Sequence, residues 1–174
     1  MNKLQIGVIG SMADVNIATS LKEIAKELGK EIAKRHAIVV FGFEGDFDSL
    51  SLCAAKEAQK VGGQTLAFIW GSKNFNLDTL NSIKVITGQQ RGGGREFSFI
   101  LSCDAVISIN GGSGTLMEIT MAYQASIPIV VMNSSGGWSE KLQNQFLDER
   151  KKILITSAKT AKEAVQKCFL RQNA

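Results

Sequence analysis

Asp104-Ala105-Val106-Ile107-Ser108-Ile109-Asn110-Gly111-Gly112-Ser113-Gly114-Thr115-Leu116-Met117-Glu118 decides the fold. Its apolar start, Asp104–Ile109, reads as a buried strand, and Asn110–Gly114 as a glycine turn. The following residues, through Ile119-Thr120-Met121-Ala122-Tyr123, read as a helix. Strand, glycine turn and helix together aim backbone N–H groups and the positive end of a helix at an anion. Glu118 falls about one turn into that helix, close enough to face what the turn holds.

Outward from this unit, short apolar runs alternate with amphipathic stretches. Strands are expected at Leu4–Ile9, Ala37–Phe41, Gln64–Trp70, Ile83–Thr87, Ile127–Met132 and Ile153–Ile155. The first helix, capped by Asp14 or Asn16, repeats Ile17, Leu21, Ile24, Ala25, Leu28 and Ile32 at three and four. Its outer face carries Glu23, Lys26, Glu27, Lys30, Glu31 and Lys34, opposite charges spaced for pairing. Further helices are expected at Ser49–Val61, Arg95–Cys103, from the glycine turn to about Ala125, at Trp138–Leu147 and at Lys159–Arg171. This alternation predicts one α/β domain over residues 1–174, doubly wound, with a mostly parallel sheet of about seven strands and helices on both faces. Ligands in such sheets bind outside the carboxyl ends of the strands. The loops starting at Gly10, Gly42, Gly88 and Asn110 are therefore expected on one rim.

Composition narrows the class. The chain has 174 residues, 44% apolar and 21% charged, with a net charge of +4. That is a globular domain able to bury a full core and compatible with small anionic ligands. Nucleic acid is not indicated by so modest a charge. Cys53, Cys103 and Cys168 are odd in number and far apart, and His36 is the single histidine. Reduced thiols in a cytoplasmic protein, with no metal site and no resident cofactor, are the expectation. No apolar run approaches the roughly 20 residues needed to cross a membrane.

Several constellations have both a functional and a structural reading. Thr115 can bond a phosphate oxygen or cap its helix. The turn is not a P-loop, for no Gly-Lys-Ser/Thr follows, nor a nucleophile elbow, for Thr115 stands where glycine is required. Glu118 can act as a base, stabilise positive charge on a sugar, or simply favour a helix N-terminus. Arg91 and Arg95 flank Gly92-Gly93-Gly94, and either can grip phosphate or be a solvated charge. An RNA-binding reading of that single Arg-Gly-Gly copy is disfavoured. Gly10-Ser11 can contact an anion. The acidic segment Gly42–Asp48 reads best as the lead-in to a helix starting at Asp48 or Ser49. Trp70 and Trp138 read as packing anchors.

The span Arg95 to Glu118 resembles the Lonely Guy family, often labelled lysine decarboxylase-like. These Rossmann-like proteins carry an arginine upstream of a P-G-G-x-G-T-x-x-E motif. Gly111 to Glu118 match its G-G-x-G-T-x-x-E part, and Arg95 stands at the arginine. Gly137-Trp138-Ser139 resembles a segment of the branch that includes molybdenum-cofactor carrier proteins. The resemblance implies a homodimer that binds a phosphorylated small molecule and, in its enzymes, hydrolyses the N-glycosidic bond of nucleoside 5′-monophosphates to free base and ribose 5-phosphate. It also implies that Gly111, Gly112, Gly114 and Thr115 hold phosphate, with Ser113 a further binding candidate in the same turn, and that Arg95 and Glu118 are the catalytic pair. A carboxylate near the anomeric carbon suits that chemistry, because cleavage builds positive charge on the ribose. Decarboxylation is not supported.

Three departures stand out. Asn110 replaces the motif proline, Glu96 replaces the usual lysine, and the second glycine loop becomes the acidic Gly42-Phe43-Glu44-Gly45-Asp46. They weigh against turnover more than against binding. Two functions therefore remain open: a nucleoside monophosphate phosphoribohydrolase, or a carrier or sensor of a phosphorylated ligand such as molybdenum cofactor or a nucleotide.

Overall fold

The computed structural model describes residues 3–12, 16–43, 45, 48–71 and 82–170. In chain order these form β1 (Gln5–Gly10), α1 (Thr19–Lys34), β2 (Ile38–Phe43), α2 (Leu50–Lys60), β3 (Gln64–Ile69) and β4 (Ile83–Ile86). Then come α3 (Gly94–Leu101), β5 (Ala105–Ile109), α4 (Ser113–Gln124), β6 (Ile129–Met132), α5 (Gly137–Lys141), β7 (Thr156–Ala158) and α6 (Ala161–Leu170). The strands form one sheet in the order β4-β3-β2-β1-β5-β6-β7, and each neighbouring pair is parallel. The fold is the α/β, doubly wound one that the alternation predicts.

Two apolar layers hold it together, and period-two alternation sorts the strand residues between them. Ile6, Val8, Val39, Phe41, Ala105, Ile107, Val130 and Met132 face α1, α2 and α6. Ile9, Val40, Val106, Ile129 and Val131 face α3, α4 and the segment around Leu142. Both sides of the central strands are covered, so those strands are apolar almost throughout, whereas the edge strand β4 is largely exposed. The outer face of α1 makes its i,i+3 ion pairs: Lys26–Glu23, Lys30–Glu27 and Lys34–Glu31.

The chain winds outward from β1 to β4, then returns to the other side of β1 to lay down β5 to β7. The connections leaving β1 and β5 therefore part in opposite directions, which opens a crevice at the carboxyl ends of those strands.

β2 runs on through Gly42 and Phe43, β6 starts at Ile129, and three further features depart more from the sequence reading. The helix expected over Trp138–Leu147 is only Gly137–Lys141. Asn144 takes a left-handed φ of 58°, and Gln145 bridges antiparallel to Ile155. That bridge removes Ile155 from the last strand, which runs Thr156–Ala158 rather than Ile153–Ile155. At α1, the flanking residue is Ala18, with no side-chain cap, so Asn16 is not the cap; Asp14 lies outside the described residues. Ser49 does cap α2, its Oγ accepting the Leu52 N–H at 3.1 Å.

Candidate functional site

The helix end at the centre of the crevice is open. No side chain caps α4, and no acidic residue occupies its first turn. The N–H groups of the first turn of any helix lack partners within it. Here Ser113 and Gly114 are exposed, while Thr115 is buried. Such an end attracts an anion.

The turn leading into α4 is braced from behind. Asn110 has φ 57°, a left-handed conformation that asparagine tolerates and proline cannot adopt. Its N–H donates to Ser135 Oγ at 2.9 Å, and its Nδ2 donates to the Ser135 carbonyl at 2.6 Å. Its Oδ1 accepts both the Ser11 hydroxyl, at 2.8 Å, and the Gly111 N–H, at 2.6 Å. Ser11 Oγ also accepts the Gly111 N–H at 3.1 Å, and the Ser11 carbonyl accepts the Leu50 N–H at 3.1 Å. Ser11 thus ties the loops after β1 and β5 to the start of α2.

The Gly137-Trp138-Ser139 segment completes the brace. The Trp138 N–H donates to the Gly111 carbonyl at 3.0 Å, and the Ser139 N–H to the Asn110 carbonyl at 3.1 Å. Ser139 Oγ donates to that same carbonyl at 2.6 Å and lies 2.7 Å from Ser108 Oγ. Gly137 has φ 60°, and a Cβ there would sit 2.5 Å from the Gly111 carbonyl oxygen. Only glycine lets α5 approach this closely. Trp138 is partly buried in packing, with the Lys141 ammonium 4.8 Å from its ring centre.

Arg95 enters from α3. Its Nε and Nη2 both donate to Glu96 Oε1, at 3.1 and 2.7 Å, and both residues are almost fully buried. Glu96 Oε2 accepts the Gly93 N–H at 2.8 Å, closing the start of α3. The guanidinium lies across Gly42 so closely that a Cβ there would fall 1.8 Å from Nη1. Burial alone disfavours ionised Glu96. The Arg95 guanidinium and the N–H groups of Gly92 and Gly93 outweigh it and hold the carboxyl below the ordinary glutamate range.

These parts enclose a cavity of about 370 Å³. It receives Gly10 and Ser11 from the end of β1 and Gly42 from β2. Arg91, Arg95 and Glu96 reach it from the α3 side, and Gly112, Ser113, Gly114, Thr115 and Glu118 from α4. The loops after β1, β4 and β5 and the carboxyl end of β2 thus share one rim, where the loops starting at Gly10, Gly42, Gly88 and Asn110 were expected. The structure brings Arg95 and Glu118 to one cavity. Gly111 stands behind its wall, with its N–H spent on Asn110 and Ser11. Arg91 is exposed at the mouth, Nη2 lying 3.2 Å from Met12 Sδ.

Glu96 is the site residue that the sequence reading treats only as a departure. Its signal was present: a glutamate three residues after Gly93 fits the third position of a helix. In the segment after β2, Ser49 fulfils the capping reading, and Glu44, Asp46 and Phe47 lie outside the described residues. The three cysteines are free thiols, and burial pushes the Cys103 thiol up. Among the described residues, no group of three or more His, Cys, Asp or Glu side chains gathers to hold a metal. No described helix is long and apolar enough to cross a membrane.

Comparison with known proteins agrees with this fold. The SLOG cluster4 family matches residues 3–165. An uncharacterized protein of Archaeoglobus fulgidus is 32% identical over 125 residues, 71% of this chain and 76% of its own. The crystal structure of TM1055 superposes with a TM-score of 0.82 at 27% identity, covering 97% of this chain and 99% of that one. The molybdenum cofactor carrier protein of Chlamydomonas reinhardtii superposes at 0.81 with 25% identity, covering 99% and 100%.

Proposed function

The chain belongs to the SLOG cluster4 family, and we propose that within it this protein is a carrier or sensor that binds a phosphorylated small molecule without hydrolysing it. The ligand's phosphate sits at the start of α4, on the N–H groups of Ser113, Gly114 and Thr115 and on the Thr115 hydroxyl. Arg91 closes over it from the mouth. The observation that carries the reading is the buried Arg95–Glu96 pair. An arginine whose Nε and Nη2 already serve a carboxylate is poorly placed to grip a reacting phosphate or ribose. The resemblance to molybdenum cofactor carrier proteins supports the same conclusion, and molybdenum cofactor, a phosphorylated pterin, is one ligand the site suits.

Calorimetric titration with nucleoside 5′-monophosphates and with isolated molybdenum cofactor tests this. Saturable binding of one of them, lost in Ser113→Asp, is expected. Absence of binding to all of them contradicts the reading.

A second reading, phosphoribohydrolase, is favoured by one observation: Arg95 and Glu118 line the same cavity. We also infer a homodimer. Phe97 and Leu101, four residues apart on α3, are 51% and 58% exposed, an apolar stripe suited to a second copy. Light scattering of the purified protein gives the mass that decides it.

A further inference from the structure

The cavity receives Ser51 from the start of α2 as well as Ser113 and Gly114 from the start of α4. The α2 start is only partly closed. Of its first three N–H groups, that of Leu50 goes to the Ser11 carbonyl and that of Leu52 to Ser49 Oγ, each at 3.1 Å. Among the described residues, the Ser51 N–H between them meets no acceptor. No acidic residue stands in the first turn of α2, and Asp48, just before the cap, gives its carboxylate to Lys22 at 2.9 Å. A helix start of this kind favours an anion.

The hydroxyls point the same way independently. Ser49 and Ser51 are 3% and 9% exposed, and their Oγ atoms lie 3.0 Å apart. Two hydroxyl protons belong to this pair, and the contact between them uses one. Ser49 Oγ otherwise accepts from Leu52, so among the described residues the other proton has no acceptor. Left on Ser49, it would be a buried donor without a partner, which is costly. Ser51 lines the cavity and Ser49 does not. Ser49 therefore donates to Ser51, and the Ser51 proton is left to the cavity.

We propose that Ser51 is a second oxyanion subsite: its N–H and its hydroxyl donate to an anionic oxygen group at the end of the ligand remote from the phosphate. This rests on the start of α4 holding the phosphate. The ligand is then a phosphorylated molecule that carries a carboxylate or a like oxyanion at its other end. Hydrogen bonds to such a charged acceptor are stronger than those to a neutral one. Both helix starts line one cavity of about 370 Å³, so a single small molecule can reach both.

The test titrates the full chain, at neutral pH and constant ionic strength, with phosphoglycolate, 3-phosphooxypropanoate and 4-phosphooxybutanoate. Ethyl, propyl and butyl phosphate are the matched probes without a carboxylate. The best-fitting acid is expected to bind wild type about tenfold tighter than the alkyl phosphate of its length, the worth of one hydrogen bond to a charged group. Ser51→Ala, which keeps a good helix former in α2, is expected to bring the two affinities together. If Ser51 only shapes the helix start, the ratio of the two affinities is unchanged in Ser51→Ala, and that overturns the proposal. So does a wild type that binds no acid tighter than its alkyl phosphate, a result that needs no variant to fold. Where alkyl phosphate still binds in that case, and Ser113→Asp abolishes it, the phosphate site stands and only the Ser51 subsite fails. If wild type binds neither series, the phosphate site and the subsite fail together.

Discussion

Gly137 and Gly111 meet so closely that a single methyl group separates a braced turn from a disrupted one. A Cβ on Gly137 would lie 2.5 Å from the Gly111 carbonyl oxygen, which accepts the Trp138 N–H at 3.0 Å. The left-handed φ of 60° adds backbone strain for any other residue. Gly137→Ala is therefore expected to destabilise the fold by about 2–3 kcal/mol, strain and overpacking combined. Urea unfolding measures it. A loss within about 0.5 kcal/mol, the range of an ordinary surface change, contradicts the brace.

Asn110→Pro, which restores the motif proline, is expected to harm this chain. Proline fixes φ near −65°, whereas Asn110 needs 57°. It also removes the N–H given to Ser135 and the side chain that links Ser135, Ser11 and Gly111. A loss of about 3 kcal/mol or more is expected from denaturant midpoints.

Ser113→Asp separates ligand binding from stability. A carboxylate at the first residue of α4 favours the helix end by up to about 1 kcal/mol. The same charge occupies the place proposed for the phosphate. Affinity for a monophosphate ligand is expected to fall at least tenfold while the melting temperature holds or rises. Retained affinity moves the phosphate away from α4.

Acid should weaken the wild-type protein through Glu96. Its carboxyl is held below the ordinary value of 4.5, so folding favours the ionised form. The stability this provides is complete above the unfolded value and is lost as pH falls through the lower folded one. Glu96→Gln removes the carboxylate bonded to buried Arg95 and is expected to cost about 3–5 kcal/mol at pH 7. The gap to wild type should narrow below pH 4.5. A gap constant with pH in urea titrations contradicts the ion pair.

The sheet was legible because its central strands are buried on both faces and read as short, nearly continuous apolar runs, such as Ala105–Ile109, which only Ser108 interrupts. The glycine turn was legible because it interrupts such a run before a helical repeat. The end of the chain was harder. The stop at Lys141 depends on Asn144 turning left-handed so that Gln145 can bridge Ile155, a long-range pairing that local periodicity does not encode. Glu96 was misweighed because adjacent residues on a helix do not normally face each other. At the first turn of α3, however, Arg95 folds back across Gly42 and both side chains meet. The structural meaning of Gly137-Trp138-Ser139 came only with the register that lays α5 against Asn110.

Binding without turnover is the central claim, and incubation with a panel of nucleoside 5′-monophosphates tests it most directly. Protein and nucleotide are mixed near stoichiometry, and free base and ribose 5-phosphate are quantified by chromatography. Intact nucleotide is expected from every mixture, with wild type and Glu118→Gln indistinguishable. Release of free base by wild type, abolished in both Arg95→Ala and Glu118→Gln, would contradict it and make the protein a phosphoribohydrolase.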